Sequence, residues 1–458
     1  MRYVILGGGV AGTTVAEHIP HFDPSASVTL VSASTTVKRV VDLKQHGEII
    51  QSFGVEDASP KSTVFEFICD VVEHVDFDNK IVELKSSRKL QYDKLCIAMG
   101  ARPKIIYPNN SHVVGIRDTE SVEDLQERLK SCKHVTVVGN GGIASELVFA
   151  ANQCNISWVI KDETISSVFV DSVASKFLLD SFLKSKSGAS LCEQPNAGVS
   201  KRHIYRVTAC EPNADCHGSA LGPDWYNNVS LSGPNESKHL EIEYGSEVSS
   251  LEKIQDGLHN LKVTLTSGKV LFTDVMVSAT GVIPNSDIFK TTLDISDVDQ
   301  GIIVDKTMQT SRENVFAAGD VCTIPWRECE NWKQMRLWTQ ALQQGFYTAR
   351  SMCCPAEDPA VPDISFELFT HSTRLFGYKV ILLGRYQEWK GCECYFRITP
   401  GEEFVKLVVS KGRVQGALLV GETDLEEVME NLILNQLDIS HLGEQILDPN
   451  VDIEDYFD

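Results

Sequence analysis

Apolar residues in this chain come in short runs separated by glycine-rich turns and stretches of helical spacing. Residues 3–6 form one run, which ends in Gly7-Gly8-Gly9-Val10-Ala11-Gly12 and leads into a helix-compatible stretch to about residue 19, then a second apolar run at 28–31. The same order of strand, tight turn, helix and strand recurs from residue 135, through Gly139-Asn140-Gly141-Gly142-Ile143-Ala144, a helical segment to 151 and an apolar run at 156–160. Two copies predict two doubly wound dinucleotide-binding domains, an α/β class with Rossmann-like parallel sheets.

Elsewhere the pattern changes period. Residues 76–84 and 90–97 alternate like a β-meander or hairpin bounded by turn residues, and 239–280 alternate again around a turn at Ser267-Gly268. Between them, 185–237 shifts towards Ser, Gly, Pro and Asn and reads as an insertion, although Gly218-Ser-Ala-Leu-Gly-Pro-Asp-Trp225 is too apolar for a plain linker. Residues 360–458 predict a separate α+β unit, with strands near 379–383, 404–409 and 414–420 and a helix over 425–437 capped by Thr423. The resulting division is 1–112, 113–285 carrying the insertion, 286–345, and a C-terminal α+β domain at 346–458.

At 458 residues the chain has room for about three domains of ordinary size. Its 23% charged and 42% hydrophobic content matches a folded globular protein. The net charge of −21 sets most of the surface against phosphate backbones and anionic lipid, so neither direct nucleic-acid binding nor membrane association is expected. With no apolar stretch of spanning length and no room for a signal region ahead of residue 3, the chain reads as soluble and intracellular. Thirteen scattered cysteines lack metal or disulfide spacing, and the twelve histidines form no ligand motif, so no metal is expected.

The glycines carry the chemistry. Gly7 suits the tight turn, Gly9 lets backbone approach a pyrophosphate and Gly12 allows close helix-to-strand packing, while the helix start supplies free N–H donors. Ser32 stands where an acidic residue would meet a ribose; its hydroxyl can still hydrogen-bond there. In the second copy Gly139, Gly141 and Ala144 repeat the pattern and Glu146 follows. Ile160 and Lys161 occupy its ribose-reading place, which leaves NADH and NADPH both open. Two strands exit into Gly100-Ala-Arg-Pro103 and Gly281-Val-Ile-Pro284, and a third into Gly319-Asp320, whose carboxylate can accept hydrogen bonds from hydroxyls.

These five elements in this order resemble the flavoprotein pyridine nucleotide-disulfide oxidoreductase superfamily over residues 1 to about 345. The resemblance implies FAD on 1–112 with 286–345, and a nicotinamide cofactor on 113–285. Gly7, Gly9, Gly12 and Asp320 then fall on the FAD pattern, with Ser32, Gly100, Gly319 and Trp338 beside it; Gly139, Gly141, Ala144 and Gly281 serve the nicotinamide side. Members that reduce disulfides carry a cysteine pair, or one peroxide-active cysteine, shortly after the second strand, but residues 33–50 contain no cysteine. That region is instead similar to the ferredoxin-reductase and apoptosis-inducing-factor branch, in which a basic residue, here Arg39, precedes a lysine, here Lys44, by five positions. In that branch the lysine reaches the flavin and pairs with the glutamate of the second loop, so the resemblance assigns Lys44 and Glu146 to the reacting site.

The resemblance narrows on the GSALGPDW insertion, Gln334-Met-Arg-Leu-Trp-Thr-Gln340 and the C-terminal DPNVDIEDYFD. Members similar in these stretches imply a cytoplasmic and nuclear role in oxidative-stress defence, through nicotinamide-dependent association with the tRNA ligase complex, whose metal-bound catalytic cysteine would be protected. Three functions stay open: an FAD-dependent NAD(P)H oxidoreductase without an internal disulfide, a redox-gated binding protein with little turnover, and a disulfide reductase using remote Cys353 and Cys354. Residues 444–458 hold six acidic residues interleaved with Ile446, Leu447, Val451, Ile453, Tyr456 and Phe457, either as a solvated tail or as a docking element for its own surface or a basic partner.

Overall fold

The computed structural model describes residues 1–45, 48–57, 64–186, 201–206, 230–254, 258–327, 329–355, 357–450 and 453; side chains are described for these except 39–57, 119, 184–186, 201–206, 364 and 444. Among the described residues six helices run in chain order as α1 (Val10–Phe22), α2 (Thr119–Leu129), α3 (Gly142–Ala150), α4 (Ser172–Lys186), α5 (Trp338–Cys353) and α6 (Glu426–Asn435). Among the described residues no helix is long and apolar enough to cross a membrane. The chain divides into two compact units: Met1–Arg102, Val282–Glu328 and Gln334–Phe366 make the first, and Pro103–Gly281, Cys329–Lys333 and Glu367–Asp458 the second.

The first unit is built on five parallel strands in the spatial order Val315–Ala317, Lys94–Ile97, Arg2–Leu6, Ser27–Ser32, Glu66–Cys69. The chain thus starts in the middle strand, runs outward on one side, then returns to the other, which is the doubly wound order that leaves a crevice beyond the strand ends. Its core is apolar, with Ile5, Val15, Ile19 and Leu30 fully enclosed, because strands covered on both faces select unbroken apolar runs. Helix α5 lies so close on α1 that a Cβ at Gly345 would stand 2.7 Å from Ala11 O. The boundary expected at residue 345 therefore falls inside a helix. The expected strand over 90–97 also divides: Lys89–Gln91 completes an antiparallel meander with Val72–Asp76 and Ile81–Leu84, whereas Lys94–Ile97 joins the parallel sheet. Tyr92, 1% exposed, turns inward at the break.

The second unit repeats the parallel design, in the order Val113–Val114, Val275–Ser278, His134–Val138, Asn155–Val159, His239–Glu243. It also contains a six-stranded antiparallel sheet, Lys201–Arg206, Glu393–Thr399, Glu403–Ser410, Arg413–Val420, Tyr378–Gly384, Thr370–Leu375. The inserted region thus contributes an edge strand, paired with Glu393–Thr399; Cys210, Cys216 and the GSALGPDW stretch lie outside the described residues. Lys406 is buried in this sheet, and its ammonium is held by Asp171 at 2.7 Å and Glu388 at 3.0 Å, which offset a desolvation cost of several kcal/mol.

Helix α6 starts after Leu425, not on Thr423, whose hydroxyl is buried without a partner; the cap expected from sequence is not made. Met429, Leu432 and Ile433 of α6 join Ile446, Leu447 and Ile453 in one core with Val405, Leu407 and Leu419 of the sheet. Enclosing a side chain of this size contributes about 1.5–3 kcal/mol. These three apolar positions of the acidic segment are therefore spent on the chain's own core, while Val451, Tyr456 and Phe457 lie outside the described residues.

Candidate dinucleotide sites

In the first unit the strand Arg2–Leu6 ends at Gly7, whose φ of +117° suits glycine; a Cβ there would fall 2.2 Å from Ala98 O. Gly9 is the N-cap of α1, in extended conformation and with no side chain capping the helix. A Cβ on Gly9 would meet nothing within 4 Å, so there is open space beside the uncapped helix start. Gly12 differs again: its Cβ would stand 1.9 Å from Gly7 O. One turn thus needs glycine for three separate reasons, of which only the one at Gly9 concerns a ligand.

The other residues expected at the first cofactor belong to the same compact unit. Ser32 ends its strand, 7% exposed, with its hydroxyl accepting Ser34 N at 3.2 Å and lying against Gly8. Gly100 has φ +62° and open space beside it, and its carbonyl accepts Asn285 N at 3.0 Å. Gly319, φ +77°, approaches Ala11 of α1, and Asp320 follows in a short 3-10 turn, 9% exposed. Gln344 Oε1 accepts Gly319 N at 2.8 Å and fastens the turn from α5. Trp338, the first residue of α5, is 6% exposed with its indole Nε1 buried and unpartnered. A buried donor without an acceptor is costly unless a ligand supplies one.

The second cradle repeats the backbone of the first. Gly139 has φ +129° and its Cβ would meet Ala279 O at 2.1 Å; Gly141 caps α3 with no side-chain bond and with open space in front. Ala144 is fully enclosed, so this helix start leaves room for the methyl that Gly12 could not carry. Gly281 has φ +100° and open space. Glu146, in the second turn of α3, is 3% exposed. The backbones of Arg39 and Lys44 lie in the strand Thr36–Gln45, opposite Gly54 and Ile49 of Glu48–Asp57; their side chains, and with them the Lys44–Glu146 pair, lie outside the described residues.

Sequence reasoning missed the hub of the second cradle. Asn140 Nδ2 lies within hydrogen-bonding distance of Asp162 Oδ2 at 2.7 Å, Thr164 O at 2.8 Å and Ser167 Oγ at 2.9 Å, while its Oδ1 accepts Ser166 N at 2.6 Å. A carboxylate one position beyond Ile160 and Lys161, that of Asp162, is thus held beside the loop by Asn140 and Ser167. A residue with a reaching side chain where the first copy has Gly8 was the available signal.

Among the described residues sulfur completes neither site. Among the described residues all cysteines are free thiols. Cys322, next to the Asp320 turn, is fully buried, and burial pushes its thiol up to about 12; Cys96 moves the same way for the same reason. Neutral, enclosed thiols are poor nucleophiles.

The order of these elements matches a known family model: pyridine nucleotide-disulphide oxidoreductase, over residues 1–211 and 233–345. The chain belongs to this family. Its members are FAD-dependent and use NAD(P)H, and the residues of both cradles fit those cofactors: two open helix N-termini at glycine turns, and a buried indole donor awaiting an acceptor. A Homo sapiens protein called pyridine nucleotide-disulfide oxidoreductase domain-containing protein 1 is 39% identical over 495 residues, covering 100% of this chain and 98% of that one. A ferredoxin reductase from Rhodopseudomonas palustris shares the fold with a TM-score of 0.70 at 19% identity, covering 99% of each chain. So does a water-forming NADH oxidase from Lactobacillus brevis bound to NADH, with a TM-score of 0.65 at 17% identity, over 97% of this chain and 92% of that one.

Proposed function

We propose that this family member moves two electrons from NADH or NADPH to FAD and on to an acceptor outside the chain, with no internal disulfide between them. The observation that carries this reading is the absence of cysteine from residues 33–50, where disulfide-reducing members hold their redox pair. When bound, NAD(P)H supplies a hydride and FAD accepts it and passes the electrons on. The chain's own contribution is placement: open N–H donors at α1 and α3 for pyrophosphates, Asp320 for hydroxyls, and a dry setting around Trp338.

Remote thiols are a poor substitute for the missing pair. Cys353 lies 15 residues along α5 from Trp338, about 22 Å at the α-helical rise. Burial, the largest influence on it, pushes its thiol above the ordinary range. In its biological role the chain acts in oxidative-stress defence in cytoplasm and nucleus, and a nicotinamide-dependent complex with the tRNA ligase protects that enzyme's catalytic cysteine. The full-length similarity to the Homo sapiens protein supports this part.

Anaerobic titration tests the chemistry. One equivalent of NADH or NADPH should bleach the flavin band near about 450 nm completely. A purified chain with no flavin band, or one needing a second equivalent for a hidden disulfide, overturns the reading. For the partner, ligase capture should rise with NADH present; capture indifferent to nicotinamide would remove that role.

A further inference from the structure

The residues ahead of Trp338, Gln334–Leu337, are explained by neither glycine cradle, and the structure shows what they hold. Arg336 is 6% exposed and divides its guanidinium between two acceptors: Nε donates to Asp320 O at 2.9 Å and Nη2 to Asp299 Oδ2 at 2.6 Å. The other oxygen of Asp299 accepts Thr323 Oγ1 at 2.7 Å and Gly301 N at 3.2 Å. Gln334 clasps the strand that follows, donating to Cys322 O at 3.0 Å and accepting Ile324 N at 2.8 Å. Two segments, 299–301 and 334–336, thus close around the short turn that carries Asp320 and the strand after it.

Burying an ion pair is a poor way to add stability, since apolar residues of similar volume often do as well or better. What a guanidinium adds is direction, because its donors sit at fixed angles in one plane. Burial alone would raise the Asp299 carboxyl; the charge of Arg336 and the bonds from Thr323 and Gly301 outweigh it and hold the group down at about 2, so the anchor stays ionised at neutral pH. Of the two acceptors that Arg336 serves, the backbone one belongs to the residue whose carboxylate is read as taking the cofactor's hydroxyls.

We infer that Arg336, anchored by Asp299, is a positioning residue for FAD: it fixes the main chain of Asp320 and thereby aims that carboxylate at the cofactor. This rests on the assignment of the first cradle to FAD. The inference predicts an effect that passes through Asp320 alone, which a brace for general stability would not show.

The test is a double-mutant cycle on the purified full-length flavoprotein, reading the rate of FAD release by the gain in flavin fluorescence on dilution, beside the thermal unfolding temperature. Arg336→Met should speed release about ten-fold, the loss expected for one charge-assisted hydrogen bond. Arg336→Lys, which keeps the charge, should recover part of it, and Asp299→Asn should fall between them. In an Asp320→Asn background, Arg336→Met should add almost nothing. Equal losses in both backgrounds, or a loss that only follows a lowered unfolding temperature, overturn the inference. A wild-type chain that takes up no FAD overturns the assignment of the cradle and the inference with it.

Discussion

The turn Gly7–Gly12 and the turn Gly139–Ala144 have the same backbone, yet they are closed in different ways. Both start with a glycine near φ +120° against a carbonyl, Ala98 O in one and Ala279 O in the other, and both present an uncapped helix start to open space. The first then packs its helix against its own strand so tightly that only glycine fits at residue 12, and α5 covers it through Gly345. The second tolerates Ala144 and takes its rigidity from the Asn140 side chain, bonded across to residues 162–167. A phosphate cradle therefore needs only the first two glycines. The third position reports how the surrounding domain is packed.

The strongest challenge to that comparison is to exchange the third positions. Gly12→Ala places a Cβ on Gly7 O, and the strain, about 3 kcal/mol or more, should leave a chain purified with little bound flavin. Ala144→Gly loses helix propensity and one enclosed methyl, about 1 kcal/mol each. Flavin absorbance per chain and the unfolding temperature check both; a stoichiometrically flavinated Gly12→Ala protein would remove the steric argument.

Asn140→Ala should come next in size. It strands Ser166 N, a loss of about 1–3 kcal/mol, and should weaken NADH binding several-fold while leaving flavin content untouched. If flavin is lost together with nicotinamide affinity, the two cradles are not separately closed. Gly141→Ala asks the complementary question. Its methyl meets no protein atom, so stability should hold while NADH affinity falls about ten-fold, read by anaerobic titration.

Smaller effects sharpen the picture further. Asp162, held by Asn140 and Ser167 beside the second loop, carries a charge that would repel a 2′-phosphate bound there, although exposed Lys161 beside it works the other way. NADH should therefore bind more tightly than NADPH by a few-fold, and Asp162→Asn should narrow the ratio; an unchanged ratio removes Asp162 from recognition. Joint replacement of Cys353 and Cys354 by serine should leave acceptor reduction unaltered, and a fall in that rate would return remote thiols to the scheme.

Much of the fold was legible in the chain because parallel strands buried on both faces must be unbroken apolar runs, and the runs at 3–6, 28–31, 135–138 and, but for Ile160, 156–160 fall in strands of the two parallel sheets. The break at Tyr92 and Asp93 was not legible. Alternation at 90–97 fits either a meander or a parallel strand, and only the pairing of Lys94–Ile97 with Arg2–Leu6 decides between them. Of the site residues, the glycines and Asp320 could be read from spacing; Asn140, Asp162, Arg336 and Asp299 could not.

By itself the sequence determined where backbone had to turn and approach a ligand, and that no cysteine pair follows the second strand. Those are local matters, since a clash between Gly12 and Gly7 arises within one turn whatever the rest of the molecule does. Tertiary structure alone decided which charges meet. Arg336 and Asp299 are 37 residues apart and Lys406 and Asp171 are 235 apart, so each pair exists only because the chain's path brings the partners together in places shielded from water. The same holds for Ile446, Leu447 and Ile453, whose acidic neighbours suggest a solvated tail until a sheet is there to cover them.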